Sequence, residues 1–132
     1  MDCENQDGLR FEKGSGDAGQ FILDRALAFG GMPQTTEGLP ELTGPWHYAE
    51  DKYGVVVRLP RERYQAVEKL LRVAFGKPDF GPGPTTDGGR LGGYRLTPEG
   101  GGISFSRNKE RAEVILLRQP GKVEGNGDAS RP

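Results

Sequence analysis

The stretch from residue 60 to residue 75 constrains the fold most, because it has the pattern of an amphipathic helix that needs a second layer to cover it. Apolar side chains recur there at three- and four-residue steps, at Tyr64, Val67, Leu70, Leu71, Ala74 and Phe75. This spacing places them in one stripe of an α-helix. Pro60 suits the first helical position, and Gly76 with Pro78 ends the pattern. The sequence therefore predicts a helix over residues 60–75.

A shorter helix is predicted over residues 18–29. Asp17 is a suitable N-cap residue, and Gln20 follows it by three positions, which is the spacing of a capping box. Gly30 suits the left-handed position after a helix, and Pro33 cannot continue one.

Short alternating runs predict the strands. Residues 46–48 and 53–59 suit one hairpin, and residues 94–96 and 103–105 suit another. Residues 114–117 are apolar on both faces, which indicates a strand that is central or covered by a helix. We therefore expect an α+β fold with an antiparallel sheet of about four or five strands and two helices on one face.

Glycine and proline limit how much of the chain this core includes. The chain has 132 residues, of which 22 are Gly and 10 are Pro, and 33% are hydrophobic. We expect one α+β domain over residues 17–120, a loosely ordered segment over residues 1–16 and a disordered tail over residues 121–132. Residues 77–93 show no periodicity and are predicted to form a long loop.

Two similar stretches leave a duplication open. An Ala-Phe-Gly helix end occurs at residues 28–30 and again at residues 74–76. A Thr-Thr-acid-Gly turn follows each, at residues 35–38 and 85–88, and a predicted hairpin comes next. This order is consistent with a duplicated helix-loop-hairpin unit.

Charge and cysteine content exclude some partners. The formal net charge is −1 with both signs interspersed, so we expect neither nucleic acid nor an anionic membrane as partner. No apolar run is long enough to span a bilayer. The single cysteine, Cys3, allows no intramolecular disulfide, which favours a cytoplasmic, soluble protein. The alternative is a bacterial periplasmic assembly domain anchored through a lipid on Cys3, if a lipobox precedes it.

Motifs with catalytic or cofactor chemistry are weak in this chain. Residues 14–19 match G-x-G-x-x-G, but no buried strand precedes them and no βαβ series follows, so we interpret them as a Gly-rich entry to the first helix. His47 is the only histidine, and one His with one Cys does not make a metal site. We expect no metal and no cofactor. A small enzyme using His47 with loop carboxylates remains the alternative function.

The leading hypothesis is a non-catalytic binding or protein-interaction module whose partner and oligomeric state the sequence leaves open. Aromatic residues and arginines are favoured anchors at protein interfaces. The predicted surface combines the first hairpin with the loop over residues 77–93, because long loops on a rigid scaffold often bind partners. Its candidate residues are Trp46, Tyr48, Tyr53, Phe80, Arg90, Tyr94 and Arg95.

Overall fold

A computed structural model describes residues 10–98 and 100–118. The helices are α1 (Ala18–Ala28) and α2 (Tyr64–Phe75), the latter preceded by one 3-10 turn (Arg61–Arg63). The strands are β1 (Glu12–Lys13), β2 (His47–Asp51), β3 (Gly54–Pro60), β4 (Phe80–Pro84), β5 (Arg90–Thr97), β6 (Gly100–Arg107) and β7 (Arg111–Leu117). The predicted tail over residues 121–132 and Cys3 lie outside the described residues.

The strands form one antiparallel sheet in the order β1-β2-β3-β7-β6-β5-β4. The expected α+β class is confirmed, but the expected count of four or five strands was wrong, since the sheet has seven. Strand β7 lies fourth of seven, which confirms the central position predicted from its two apolar faces. The two strands that were not predicted, β1 and β4, are the edges of the sheet.

Strand β4 corrects the prediction of a long loop over residues 77–93. Its sequence, Phe-Gly-Pro-Gly-Pro, shows no alternation of apolar and polar residues. An edge strand tolerates proline and glycine because one side of it pairs with no neighbour. Strand β5 also begins earlier than predicted, at Arg90. The segment between the two strands is therefore a short turn over residues 85–89.

Helix α1 confirms the predicted N-cap. One carboxylate oxygen of Asp17 accepts hydrogen bonds from the backbone N–H groups of Gly19 and Leu42, both at 2.9 Å. The predicted capping box is wrong, because Asp17 caps the N–H of Gly19 and not that of Gln20, and the Gln20 amide donates to Asp24 at 2.9 Å. The cap therefore fixes both the start of α1 and the loop that follows the helix.

Helix α2 begins at Tyr64, four residues later than predicted. Pro60 ends β3, where it pairs with Arg111 in β7. Its backbone is extended, with φ −56° and ψ 146°, so the chain reaches the helix only after the 3-10 turn. The predicted stripe is confirmed, with Tyr64, Val67, Leu70, Leu71 and Ala74 buried.

Both helices pack on the same face of the sheet and form one core with it. From the strands, the core includes Val55, Val57, Leu59, Tyr94, Ile103, Phe105, Ala112, Val114 and Leu116. The register gives the opposite face a cross-strand row of Ala49, Val56, Ile115, Ser104, Gly93 and Phe80. No helix within the described residues covers that row. Neither described helix is long and apolar enough to cross a membrane.

Candidate functional site

The aromatic residues of the predicted binding surface mostly belong to the core. Trp46 and Tyr94 are only 2% and 6% exposed. Tyr48 is half-buried, and its ring centroid lies 4.9 Å from that of Phe21 on α1. These three side chains stabilise the packing of the helices on the sheet.

The other predicted residues are separated by the fold. Tyr53 is 55% exposed in the turn between β2 and β3, whereas Phe80 is 53% exposed on the edge strand β4. Arg95 is exposed on the face of the sheet that the helices do not cover, and its partner in the neighbouring strand is Gly102. Arg90 lies on the helix side. The structure therefore does not bring the seven residues together, and partner binding by any of them stays a prediction.

The described part of the chain contains no cluster of side chains that would support a catalytic or metal site. His47 is exposed on β2, opposite Arg58, and its side chain makes no hydrogen bond to a described residue. No group of three or more His, Cys, Asp or Glu residues that could hold a metal ion occurs among residues 10–98 and 100–118.

The Gly-rich segment before α1 has a structural explanation. The N–H of Gly14 donates to the Trp46 carbonyl at 2.8 Å, and the indole N–H donates to the Gly16 carbonyl at 3.1 Å. A Cβ atom on Gly14 would lie 2.3 Å from the indole ring. A Cβ atom on Gly19 would lie 2.6 Å from Leu70. The glycines thus let this segment pack closely on Trp46 and α2.

A basic pocket lies between one flank of α2 and the adjacent ends of β5 and β6. Its volume is about 810 Å³. It is lined by Arg61, Glu62, Tyr64, Gln65, Glu68, Lys69, Arg72, Val73, Arg90 and Arg107. Five of these residues are cations and two are carboxylates, although the whole chain has a formal net charge of −1. The pocket therefore concentrates positive charge that the composition of the chain does not reveal.

Two arginines lie side by side on adjacent strands, where the sheet borders the basic pocket. Arg90 on β5 and Arg107 on β6 are directly opposed in the register of the strands. Opposed side chains start about 4.5–5.5 Å apart at Cβ, and like charges in such a pair destabilise a sheet. Within the described residues, neither guanidinium has a carboxylate within 4.0 Å. Among the described residues, the pair is thus a concentrated positive charge without a directly paired carboxylate.

Tyr64 places a buried hydroxyl beside these arginines. The residue is 4% exposed, and its hydroxyl has no hydrogen-bond partner among the described residues. The buried Nε of Arg107 also lacks one there, while its guanidinium carbon lies 5.4 Å from the centroid of the Tyr64 ring. Burial raises the pKa of Tyr64, and the neighbouring Glu68 carboxylate raises it further, against the opposing effect of Arg90. The hydroxyl therefore keeps its proton at neutral pH and can donate it.

The remaining charges form the rim of the basic pocket. Glu68 is paired with Arg72 one helical turn away, at 3.2 Å. The Nε of Arg61 donates to the carbonyl of Asn108 at 3.0 Å. Lys69 and Glu62 are exposed. One carboxylate oxygen of Glu68 is therefore paired with Arg72, and the charge of Glu68 also acts on the hydroxyl of Tyr64.

Of the residues that line the basic pocket, only Arg90 was among the predicted binding residues. The sequence did contain a signal for one other, Arg107. Extending the predicted hairpin of residues 94–96 and 103–105 in register brings Arg90 opposite Arg107. The chain matches no protein-family model, and neither curated proteins nor solved structures gave a significant match.

Proposed function

We propose that this chain is a binding domain that recognises its partner through an anionic group held in the basic pocket. The observation that carries this proposal is the opposed pair of Arg90 and Arg107, which lacks a carboxylate counterion within the described residues. An opposed like-charge pair destabilises the fold unless a ligand neutralises it. Guanidinium groups are well suited to this role because they bind oxyanions through two parallel hydrogen bonds.

The buried polar atoms support the same proposal. A buried donor without a partner costs about 1–3 kcal/mol, so such groups in a folded protein call for an explanation. The hydroxyl of Tyr64 and the Nε of Arg107 are two such atoms, and both residues line the basic pocket. An oxyanion that reached these buried atoms would accept hydrogen bonds from donors that have no partner among the described residues.

The proposal makes the prediction of a non-catalytic binding module more specific, because it states that the partner carries a negatively charged group. A protein partner would present a carboxylate or phosphorylated side chain, and a small molecule would present the anion itself. The alternatives of an enzyme using His47 and of an anchored periplasmic domain have no observation that favours them, since His47 is exposed and Cys3 lies outside the described residues.

Thermal unfolding with multiply charged anions tests the proposal. The probes are citrate, inorganic phosphate and phenyl phosphate, each at constant ionic strength so that general screening does not change. A ligand that binds only the folded state raises its stability, by about 2.7 kcal/mol at a concentration one hundred times Kd. We expect the Tm of the full chain to rise with at least one probe and to rise much less in the R90Q/R107Q double variant.

The matched control is the R95Q/K77Q double variant, which removes the same charge from two exposed residues outside the basic pocket. It should keep the rise in Tm shown by the unaltered protein. The proposal is wrong if no probe raises the Tm, or if R90Q/R107Q and R95Q/K77Q respond equally.

A further inference from the structure

We infer that the anionic group is a phosphomonoester carried by a small organic molecule, with its phosphoryl oxygens held by Arg90, Arg107 and the hydroxyl of Tyr64. This inference rests on the proposed function, because it names the ligand class of the same basic pocket. The number of donors, the balance of charge and the size of the pocket support it.

The donors come from two layers of the fold. Arg90 and Arg107 project from the sheet, and Tyr64 belongs to the helix above it. Donors that lie on two sides of a pocket suit a ligand whose acceptors point in several directions. A phosphomonoester has three terminal oxygens arranged around phosphorus, whereas a carboxylate has two oxygens in one plane. The arrangement therefore favours the tetrahedral group.

The balance of charge also favours a phosphomonoester. Arg61, Lys69, Arg90 and Arg107 have no carboxylate partner among the described residues, and one carboxylate of the lining, Glu62, is likewise unpaired. A phosphomonoester carries about −1.5 to −2 charges at pH 7, and a carboxylate carries one. The doubly charged group neutralises more of this excess.

The size of the basic pocket indicates that the phosphate is attached to an organic group. Pockets for small molecules typically measure about 300–1,000 Å³, and the volume of about 810 Å³ lies within that range. Inorganic phosphate would leave most of this space empty. Val73 is half-buried in the lining, and the methylene stem of Lys69 can cover apolar ligand surface. These side chains provide contacts for an organic group.

Titration calorimetry with three probes tests this inference on the full chain. Phenyl phosphate and benzoate share an aromatic ring and differ in the anion, whereas inorganic phosphate lacks the ring. We expect phenyl phosphate to bind about tenfold more tightly than benzoate, which is the effect of one added hydrogen bond to a charged group. We also expect it to bind more tightly than inorganic phosphate.

The Y64F variant tests the role of the hydroxyl separately from its role in folding. Because this hydroxyl has no partner among the described residues, its removal should not lower the Tm. It should weaken phenyl phosphate binding by about tenfold, since one donor to a charged oxygen is lost. The control variant Y53F removes the hydroxyl of an exposed tyrosine outside the basic pocket and should change neither quantity.

The outcomes separate this inference from the proposed function. Equal affinities for phenyl phosphate and benzoate, with both lost in R90Q/R107Q, would overturn the phosphomonoester and leave the anion site intact. Equal affinities for phenyl phosphate and inorganic phosphate would overturn the organic ligand. Undiminished phenyl phosphate binding in Y64F would remove Tyr64 from the site. Failure of all three probes, together with a flat Tm in citrate, would overturn both proposals.

Discussion

At the scale of single residues, the buried tyrosines at the two ends of α2 have different surroundings. Tyr64 lines the basic pocket, and its buried hydroxyl has no partner among the described residues, whereas the hydroxyl of Tyr94 donates to the carbonyl of Gly76 at 2.8 Å. The ring centroids of both lie near that of Phe105, at 6.2 Å and 5.9 Å. Both rings thus contact Phe105 in the core, and of the two hydroxyls only that of Tyr64 lacks a hydrogen-bond partner among the described residues.

Tyr94 should make the stability of the fold depend on pH in the alkaline range. Burial raises its pKa from 10.0 to about 12, so the folded state keeps a proton that the unfolded state releases. Stability from this group is present below pH 10 and is lost as the pH rises from about 10 to about 12. The loss amounts to roughly 2 to 3 kcal/mol, and urea unfolding across that pH range measures it.

The Y94F variant is the control for this alkaline loss. It should be less stable at neutral pH by about 1 kcal/mol, because the hydrogen bond to Gly76 is gone. Its stability should then fall less steeply above pH 10, with the remaining slope due in part to Tyr64, whose pKa is also raised by burial. An identical slope in both proteins would show that Tyr94 does not cause the loss.

Single residues also set a limit on prediction from the sequence. Asp17 was predicted as an N-cap because that role depends on neighbours in the chain. The burial of Trp46 was not predicted, because it depends on close packing against Gly14 from a distant segment. The same composition of aromatic and basic residues suits both a binding surface and a core. Only the fold distinguishes the two.

At the scale of elements, the hairpin of β5 and β6 contains residues that affect both the stability of the fold and anion binding in the proposed site. Neutralising one member of the opposed arginine pair removes a like-charge contact, so R90Q should raise the free energy of unfolding by about 0.2–1 kcal/mol. The same variant should bind anions more weakly. Chemical unfolding measures the first effect, and anion titration of the same sample measures the second.

The matched control on the same strand is R95Q. Arg95 lies opposite Gly102 on the other face of the sheet, so its removal relieves no such contact. Its effect on stability should stay within about 0.5 kcal/mol. If R90Q were less stable than R95Q, the arginine pair would be a stabilising contact and would not need a bound anion as counterion.

Elements with strong periodicity were predictable, and the edge strands were not. The apolar stripe of α2 and the run of β7 that is apolar on both faces could be recognised in the sequence, because the spacing of apolar residues follows which faces of an element are buried. Strand β4 has one paired side and contains two prolines, so neither alternation nor propensity marks it. The basic pocket depends on the register of β5 against β6 and on the height of α2 above them, and neither is a local property.

At the scale of the whole molecule, the distribution of charge matters more than its sum. A net charge of −1 predicted no preference for polyanions, yet five cations line one pocket. The rest of the described surface is mixed in charge, with ion pairs such as Arg25–Glu50 at 2.9 Å and Arg58–Glu113 at 2.8 Å. A local concentration of this kind suits one anionic group better than an extended polyanion.

The measurement that tests the anion site most directly is mapping of backbone amide chemical shifts by NMR during titration with citrate or phenyl phosphate. If the basic pocket binds the anion, the largest saturating shifts will occur at Tyr64, Arg90 and Arg107 and at their neighbours in α2. The amides of Val56 and Ile115, in the middle of the opposite face, should not move. Shifts that fail to saturate, or that cluster on that opposite face or around Phe80, would contradict a site in the basic pocket.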